Sequence, residues 1–192
     1  MTKMALPALA LALAAGAALA DPVTYDIDPS HTHPSFEADH FGGLSVWRGR
    51  FDKTSGKIVL DTKSSTGTVD VTIDASSIDF GVPKLDEHVK SPEMFDVQKY
   101  PTATYKGKLT DFKDGAPTKV VGEFTLHGVT RPLTLTLDSF KCVEVPMDKK
   151  QHCGADATGT INRADYGINF GDKYGFKMAV KLAIQVEAVR AS

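Results

Sequence analysis

The stretch "GEFTLHGVTRPLTLTL", residues 122–137, alternates apolar and polar side chains on both sides of a short break at His127-Gly128. A period of two is typical of β-strands with one apolar face, so the stretch predicts two neighbouring strands of a sheet. The apolar residues that share one face are Phe124, Leu126, Leu133, Leu135 and Leu137. The pattern leaves open whether this face covers a packed protein core or a molecule that is not protein.

The same alternation recurs along the chain, for example in residues 68–76 and 178–189. Residues 48–61 are predicted to form a hairpin with its turn at residues 54–56, and another turn is predicted at residues 114–115. We expect about eight strands, joined mostly by short connections. This organisation indicates an all-β fold, either an antiparallel sandwich or a closed barrel.

One segment departs from the alternation and is predicted to be a short helical segment near residues 84–97. Leu85 and Val89 are four residues apart, which places them on one side of a helix. Ser91 followed by Pro92 is typical of the start of a further helical turn. A single helical segment in a chain of strands is expected to lie over the end or the flank of the barrel.

Residues 1–20 have the composition of a cleavable secretory signal peptide. Lys3 provides a positive charge, residues 5–19 are an apolar run, and residues 18–20 fit a small-x-small cleavage site. An uncleaved membrane anchor is the alternative, but the run is short and rich in Ala for a span of ~20 residues. Cleavage leaves residues 21–192, a normal length for one domain.

The charge of the chain is nearly balanced, with 22 Lys and Arg against 24 Asp and Glu. Proteins that bind nucleic acid present a broad basic face to the phosphates, and nothing in this composition provides one. The sequence therefore predicts no nucleic-acid partner. Charges of mixed sign along the chain are typical of a solvated surface.

Two cysteines, Cys142 and Cys153, lie in one short stretch. An even number of cysteines in an exported protein usually pairs, so a disulfide between them is predicted. The alternative, a metal site that includes His152, lacks two further ligands nearby.

Three of the six histidines, His31, His33 and His40, cluster in one short segment. His31 and His33 share a face of a strand, as two ligands of one ion would, but His40 has the opposite parity and no HExxH motif accompanies them. Structural histidines are the favoured interpretation, and no cofactor is predicted. The sequence also lacks a GxSxG elbow, so no catalytic residue is assigned and the chain is predicted not to be an enzyme.

Aromatic residues recur throughout the chain, which fits either an aromatic-rich core or a ligand cavity. An eight-stranded barrel has an interior that side chains can fill or that can hold one small ligand. Export without catalytic machinery favours the ligand, although alternation alone does not decide between the two.

Four stretches carry a common set of motifs, at residues 25–51, 86–107, 122–137 and 159–169. The motif residues are His31, Thr32, Phe36, His40, Gly49 and Phe51 in the first stretch, Phe95, Asp96, Tyr100 and Pro101 in the second, Gly122, Leu126, Gly128, Val129 and Thr130 in the third, and Asn162, Arg163, Asp165, Tyr166 and Gly167 in the fourth. In order and spacing this set resembles the YceI-like family of polyisoprenoid-binding proteins. Pro34 stands where the family commonly has an aliphatic residue, which predicts a break or an edge in the first strand because proline donates no ladder hydrogen bond.

The resemblance implies a lipocalin-like antiparallel β-barrel whose elongated apolar pocket holds a long isoprenoid chain, and it implies a periplasmic location. The residues predicted to line the pocket are Phe36, Phe41, Trp47, Phe51, Val71, Ile73, Phe95, Tyr100, Phe124, Leu126, Leu135, Leu137, Phe170, Val180, Leu182 and Ile184. The residues predicted to contact a polar head group are His31, His40, Arg48 and Arg163.

We therefore predict a lipid-binding protein for transport or storage, with transient membrane contact. Its ligand is expected to be a polyisoprenoid, an isoprenoid quinone or a similar long amphiphile. Two alternatives stay open: a filled barrel that acts through protein partners under stress, and a His-based metal-binding protein. The sequence does not assign the physiological ligand or the oligomeric state.

Overall fold

The computed structural model describes residues 22–192, so the predicted signal peptide at residues 1–20 lies outside the described residues. The strands and the α-helix are β1 (Val23–Ile27), β2 (His33–His40), β3 (Ser45–Phe51), β4 (Thr54–Asp61), β5 (Thr66–Asp74), β6 (Ile78–Asp79), α1 (Pro83–Lys90), β7 (Thr102–Thr110), β8 (Lys119–Leu126), β9 (Val129–Glu144), β10 (Gln151–Asn162) and β11 (Ala179–Arg190). Within residues 22–192, none of the helices has the length and apolar character that a membrane span requires.

Eight of these strands form a closed antiparallel β-barrel, as predicted. Around the ring the order is β1-β4-β5-β7-β8-β9-β10-β11, and β11 pairs back with β1. Along the edge that faces away from β10, strand β11 has two partners: its first half pairs with β2 and its last residues pair with β1. Strands β2, β3 and β6 therefore extend the wall beyond the closed ring.

The chain turns a corner between β1 and β2, at residues 28–32. Thr32 is buried there, and its hydroxyl donates to the Glu187 carbonyl at 3.0 Å and accepts from the Glu187 amide at 3.0 Å. The side chain thus satisfies the backbone of β11 where strand pairing is interrupted. The break predicted near Pro34 lies just before it, since β2 begins at His33.

The predicted hairpin at residues 48–61 is wrong. β3 pairs with β2 and β6, whereas β4 pairs with β1 and β5, so β3 and β4 follow one another in the same direction. Gly56 lies inside β4 and forms no turn. A Cβ at Gly56 would lie 2.2 Å from the Asp70 carbonyl oxygen, so the close approach of β5 is what requires glycine.

The other predicted turns are present, and the helix is shorter than predicted. His127 (φ 51°) and Gly128 (φ 75°) connect β8 to β9, and both take the left-handed conformation of a two-residue hairpin turn. α1 ends at Lys90, because Ser91 is extended (φ −69°, ψ 166°) ahead of Pro92. The segment up to residue 97 consists of hydrogen-bonded turns.

The predicted disulfide is confirmed. Cys142 on β9 and Cys153 on β10 face each other directly across the two strands and are bonded. They lie at the end of the barrel that we call the base, which carries the β4–β5, β7–β8 and β9–β10 connections. The opposite end, which we call the mouth, carries the β2–β3 connection, α1 and residues 163–178.

Candidate functional site

The interior of the barrel contains an outer cavity that begins at the mouth and has a volume of about 380 Å³. Its wall consists of side chains from β2, β3, β8, β10 and β11, together with α1, the segments that flank α1, and the loop that follows β10. A volume of this size falls in the range of pockets that bind small molecules. The lining is apolar and aromatic almost throughout, with a few polar groups near the opening.

An inner cavity of about 140 Å³ lies deeper, towards the base. Inward-facing residues of the barrel strands line it, among them Val71 on β5, Leu135 on β9 and Ile184 on β11. The hydroxyl of Tyr105 points between strands and donates to the carbonyls of Val120 and Leu133, each at 3.0 Å. Burial raises the pKa of Tyr105 to about 12, so the phenol stays neutral and the wall carries no charge there.

Four side chains line both cavities and therefore lie at their junction: Phe36, Phe51, Phe124 and Leu182. The rings of Phe36 and Phe51 pack at 5.8 Å between centroids, and Phe80 packs edge-on against Phe36 at 5.4 Å. Because Gly49 has no side chain, the rings of Phe36 and Phe80 can meet over β3. The two cavities thus adjoin one another and share these mostly aromatic side chains at their junction.

His40 and Arg163 are the predicted head-group residues that lie at the mouth, where both line the outer cavity. His40 is surrounded by aromatic rings, with Phe41 at 4.6 Å and Phe176 at 5.2 Å between centroids. A polar ligand group at the opening would therefore meet these two side chains before it met the apolar interior.

The guanidinium of Arg163 holds the loop that follows β10. It donates to the carbonyl of Ile168 at 2.9 Å and to that of Phe170 at 2.7 Å. Burial lowers the pKa of Arg163, while the carboxylates of Asp172 and Asp39 act in the opposite direction. Arg163 thus combines a positive charge at the opening with the support of the loop.

The other two predicted head-group residues line neither the outer nor the inner cavity. His31 pairs with Asp28 at 2.8 Å on the outside of the corner between β1 and β2. Arg48 pairs with Glu37 at 2.8 Å across the outer face of β2 and β3. Both have polar partners on the protein surface, so neither reaches the mouth.

The structure brings fifteen of the sixteen predicted pocket residues onto the cavity walls. Those on the outer cavity are Phe36, Phe41, Trp47, Phe51, Phe95, Phe124, Leu126, Phe170, Val180 and Leu182, and those on the inner cavity alone are Val71, Ile73, Leu135, Leu137 and Ile184. Tyr100 is the exception. Its ring packs on His127 at 4.3 Å and fills the space above Gly128, so it supports the β8–β9 turn.

The predicted metal alternative finds no matching geometry. His31 lies beside Asp28, the His33 ring faces Asp52 at 3.7 Å, and His40 is enclosed by aromatic rings. Nowhere in residues 22–192 do three or more His, Cys, Asp or Glu side chains group so that they could hold a metal ion.

Several residues of the outer cavity were absent from the sequence prediction, and most of these lie outside regular strands. They are Ala38, Phe80, Leu85, Met94, Ile161, Ile168 and Phe176. Leu85 carried a usable signal, since its spacing from Val89 places it on the inner side of α1. The loop residues carried none, because a chain without regular period has no phase from which to infer an inward direction.

Comparison with known proteins matches the family that the sequence motifs resemble. The model of the YceI-like domain matches residues 25–188. A UPF0312 protein of Pectobacterium carotovorum is 33% identical over 190 residues, which cover 98% of this chain and 97% of that protein.

Solved structures share the fold. A Campylobacter jejuni YceI protein superimposes with a TM-score of 0.65 at 25% identity, covering 78% of this chain and 88% of that one. A polyisoprenoid binding domain from Saccharophagus degradans superimposes with a TM-score of 0.61 at 15% identity, covering 88% of this chain and 99% of that one.

Proposed function

Because this chain belongs to the YceI-like family, we propose that it is a lipid-binding protein that holds a long-chain isoprenoid or a similar amphiphile for transport or storage. The observation that carries the proposal is the pair of adjoining apolar cavities inside the barrel, of which the outer one opens at the mouth. The tail passes the aromatic junction into the inner cavity, and the head group stays at the mouth beside His40 and Arg163. The structure neighbour from Saccharophagus degradans, a polyisoprenoid binding domain, supports this class of ligand.

Energetics favour a reversible carrier. Burial of one CH₂ contributes ~0.8 kcal/mol relative to water, so a tail of several isoprene units would formally exceed the ceiling of about 20 kcal/mol on affinity. A long lipid, however, comes from a bilayer and not from water. Since the exchange of bilayer for apolar pocket is nearly neutral for the tail, loading and unloading are both feasible, and contacts at the mouth decide which lipid is held.

The proposal includes export to the periplasm, directed by residues 1–20 and followed by cleavage after residue 20. Two features support it: the composition of residues 1–20, and the Cys142–Cys153 bond, which persists in an oxidising compartment. A fractionation of cells that express the full chain, followed by N-terminal sequencing, tests this part. A protein that stays cytoplasmic with residue 1 intact would contradict it.

Native mass spectrometry of the exported protein, followed by extraction and lipid analysis, tests the binding function. The wild type should carry one long-chain lipid per protein. Leu182→Trp replaces an aliphatic side chain at the junction with a much larger aromatic one, and this variant should lose most of the lipid. Ile184→Phe adds less volume at the next inward position towards the base, and it should lose less lipid. Ala183→Trp on the outward side of β11 is the matched control and should carry lipid like the wild type.

Circular dichroism checks that each variant is folded. The proposal is wrong if the folded wild type is persistently empty, or if Leu182→Trp and Ile184→Phe both retain the full amount of lipid. The first result would favour a barrel that acts through protein partners.

A further inference from the structure

Exposed apolar side chains are concentrated at the mouth of the barrel. Of the nine large hydrophobic residues that are exposed in residues 22–192, six lie there: Phe41, Leu44, Val46, Val82, Phe170 and Tyr174. Leu44 and Tyr174 are the most exposed of these, at 76% and 67%. Neither lines a cavity, so the cavity does not account for their apolar surface. Contiguous exposed apolar surface marks an interaction site.

These residues belong to one continuous structure, which we call the rim: residues 41–46, residues 82–90 and residues 169–177. The ring of Phe41 packs on Phe176 at 4.7 Å, which joins the first segment to the third. His88 packs on Phe170 at 4.7 Å, which joins the second segment to the third. The rim therefore surrounds the opening of the outer cavity.

Two lysines of the rim, Lys173 and Lys177, are exposed to solvent. The carboxylates of Asp39 and Asp172 act on the half-buried charge of Arg163, and Asp39 also accepts from the amides of Gly42 and Lys177. Lys173 and Lys177 form no ion pair with any acidic side chain of residues 22–192. Two exposed lysines without an ion-pair partner thus lie close in sequence to the apolar tips, in a rim that also carries Asp86, Glu87 and Asp172.

We propose that the rim is a membrane-docking surface that inserts Leu44 and Tyr174 into the interface of a bilayer and places Lys173 and Lys177 against anionic head groups. Apolar side chains flanked by lysines are suited to this position, and tyrosine is favoured at the level of the head groups. The inference rests on the proposed lipid-binding function, to which it adds the route of entry. With the rim on the bilayer, a tail enters the outer cavity without crossing water.

A protein partner fits the rim less well. Protein interfaces gain most of their affinity from well-packed residues near the centre of the contact. The centre of the rim is the opening of the outer cavity, so a partner would have nothing there to pack against.

Flotation with vesicles of phosphatidylethanolamine and phosphatidylglycerol tests the proposal on the mature chain. The wild type should float with the vesicles, and Leu44→Asp and Tyr174→Asp should each remain largely in the soluble fraction. Met147→Asp is the matched control, since Met147 is 89% exposed but lies in the β9–β10 connection at the base. The twelve residues of β10 separate this connection from the mouth. This variant should float like the wild type.

Charge reversal tests the role of the lysines. Each basic residue close to an anionic membrane surface accounts for about fivefold in binding, so Lys173→Glu combined with Lys177→Glu should weaken binding at least twentyfold. The effect should vanish on vesicles of phosphatidylcholine alone and shrink at high salt.

Lipid content, measured by mass spectrometry after loading of each variant in detergent, separates this inference from the proposed function. Normal loading together with failure of the wild type to float would overturn membrane docking and leave lipid binding intact. Equal flotation of Leu44→Asp, Tyr174→Asp and the wild type would overturn it as well. A wild-type dimer that either substitution converts to a monomer would instead assign the rim to a second copy of this chain.

Discussion

Gly49 on β3 is the position where one added carbon should disturb lipid retention most directly. A Cβ at Gly49 would lie 2.7 Å from Cζ of Phe36 and 2.9 Å from Cε1 of Phe80. Carbon atoms of packed side chains lie at about 3.5–4.0 Å, so both rings have to move by roughly 1 Å. Because Phe36 stands at the junction of the cavities, Gly49→Ala should push its ring into the path of the ligand tail.

The expected cost follows from where the rings can go. Overpacking a filled core costs about 1–3 kcal/mol. Here Phe36 and Phe80 border empty space, so we expect about 1–2 kcal/mol, at the lower end of that range. For a domain of this size, this corresponds to a melting temperature lower by about 3–6 °C in the lipid-free protein.

Thermal unfolding of delipidated protein and native mass spectrometry of protein loaded with an isoprenoid measure the two effects of Gly49→Ala. Gly154→Ala is the control, since a Cβ at Gly154 would have its nearest neighbours at an ordinary 3.6 Å. Gly49→Ala should be less stable and should bind less lipid, and Gly154→Ala should show neither loss. A Gly49→Ala protein with the melting temperature and lipid content of the wild type would refute the assignment of Phe36 to the junction.

Three further outcomes are expected. Cys142→Ser combined with Cys153→Ser should lower the free energy of unfolding, measured by urea titration, by about 3 kcal/mol, because the bond restricts the unfolded chain. Reductant should then have no additional effect. Although burial acts to raise it, hydrogen bonds that include one from His31 hold the pKa of Asp28 at about 2, and the bond with Asp28 raises the pKa of His31. The lowered pKa of the Asp28 carboxyl contributes stability above about pH 4, and this stability is lost as the pH falls towards 2. Asp28→Asn should lack this loss, and NMR titration of the variant should show the pKa of His31 falling towards 6.5. A His31 titration that is unchanged in Asp28→Asn would contradict the pairing. Arg163→Lys should cost about 2 kcal/mol, since lysine cannot reproduce the two hydrogen bonds to the loop carbonyls, and it should speed proteolysis within residues 163–178; wild-type resistance to proteolysis would count against that role.

The alternation of apolar residues predicted the barrel walls because strand phase is a local property. In residues 122–137 the side chains of Phe124, Leu126, Leu135 and Leu137 point inward as their period requires, and the turn at His127-Gly128 is fixed by two neighbouring residues. No information from distant parts of the chain is needed for either conclusion. The predicted cavity-lining residues of β11 follow from the same pattern.

Features that depend on distant contacts did not follow from the sequence. Gly56 resembles a turn glycine, but the residue that requires it is Asp70 on the neighbouring strand. The aromatic ring of Tyr100 suggests a pocket residue, yet its packing site is the turn at Gly128. In each case the residue type suggested a special role, but the residue that it contacts is distant in sequence, so the sequence pattern could not identify that role.

Different kinds of hydrogen bond hold the structure together at the two ends of the barrel. Main-chain hydrogen bonds tie the base into a closed ring, whereas α1 is fixed beside the two-residue strand β6 by side-chain contacts, such as the 2.7 Å bond from the Phe80 amide to the Asp86 carboxylate. Amide protons of the base should accordingly exchange slowly and those of α1 quickly. The helix at the mouth can therefore shift or change in sequence while the strand pairing around both cavities stays the same.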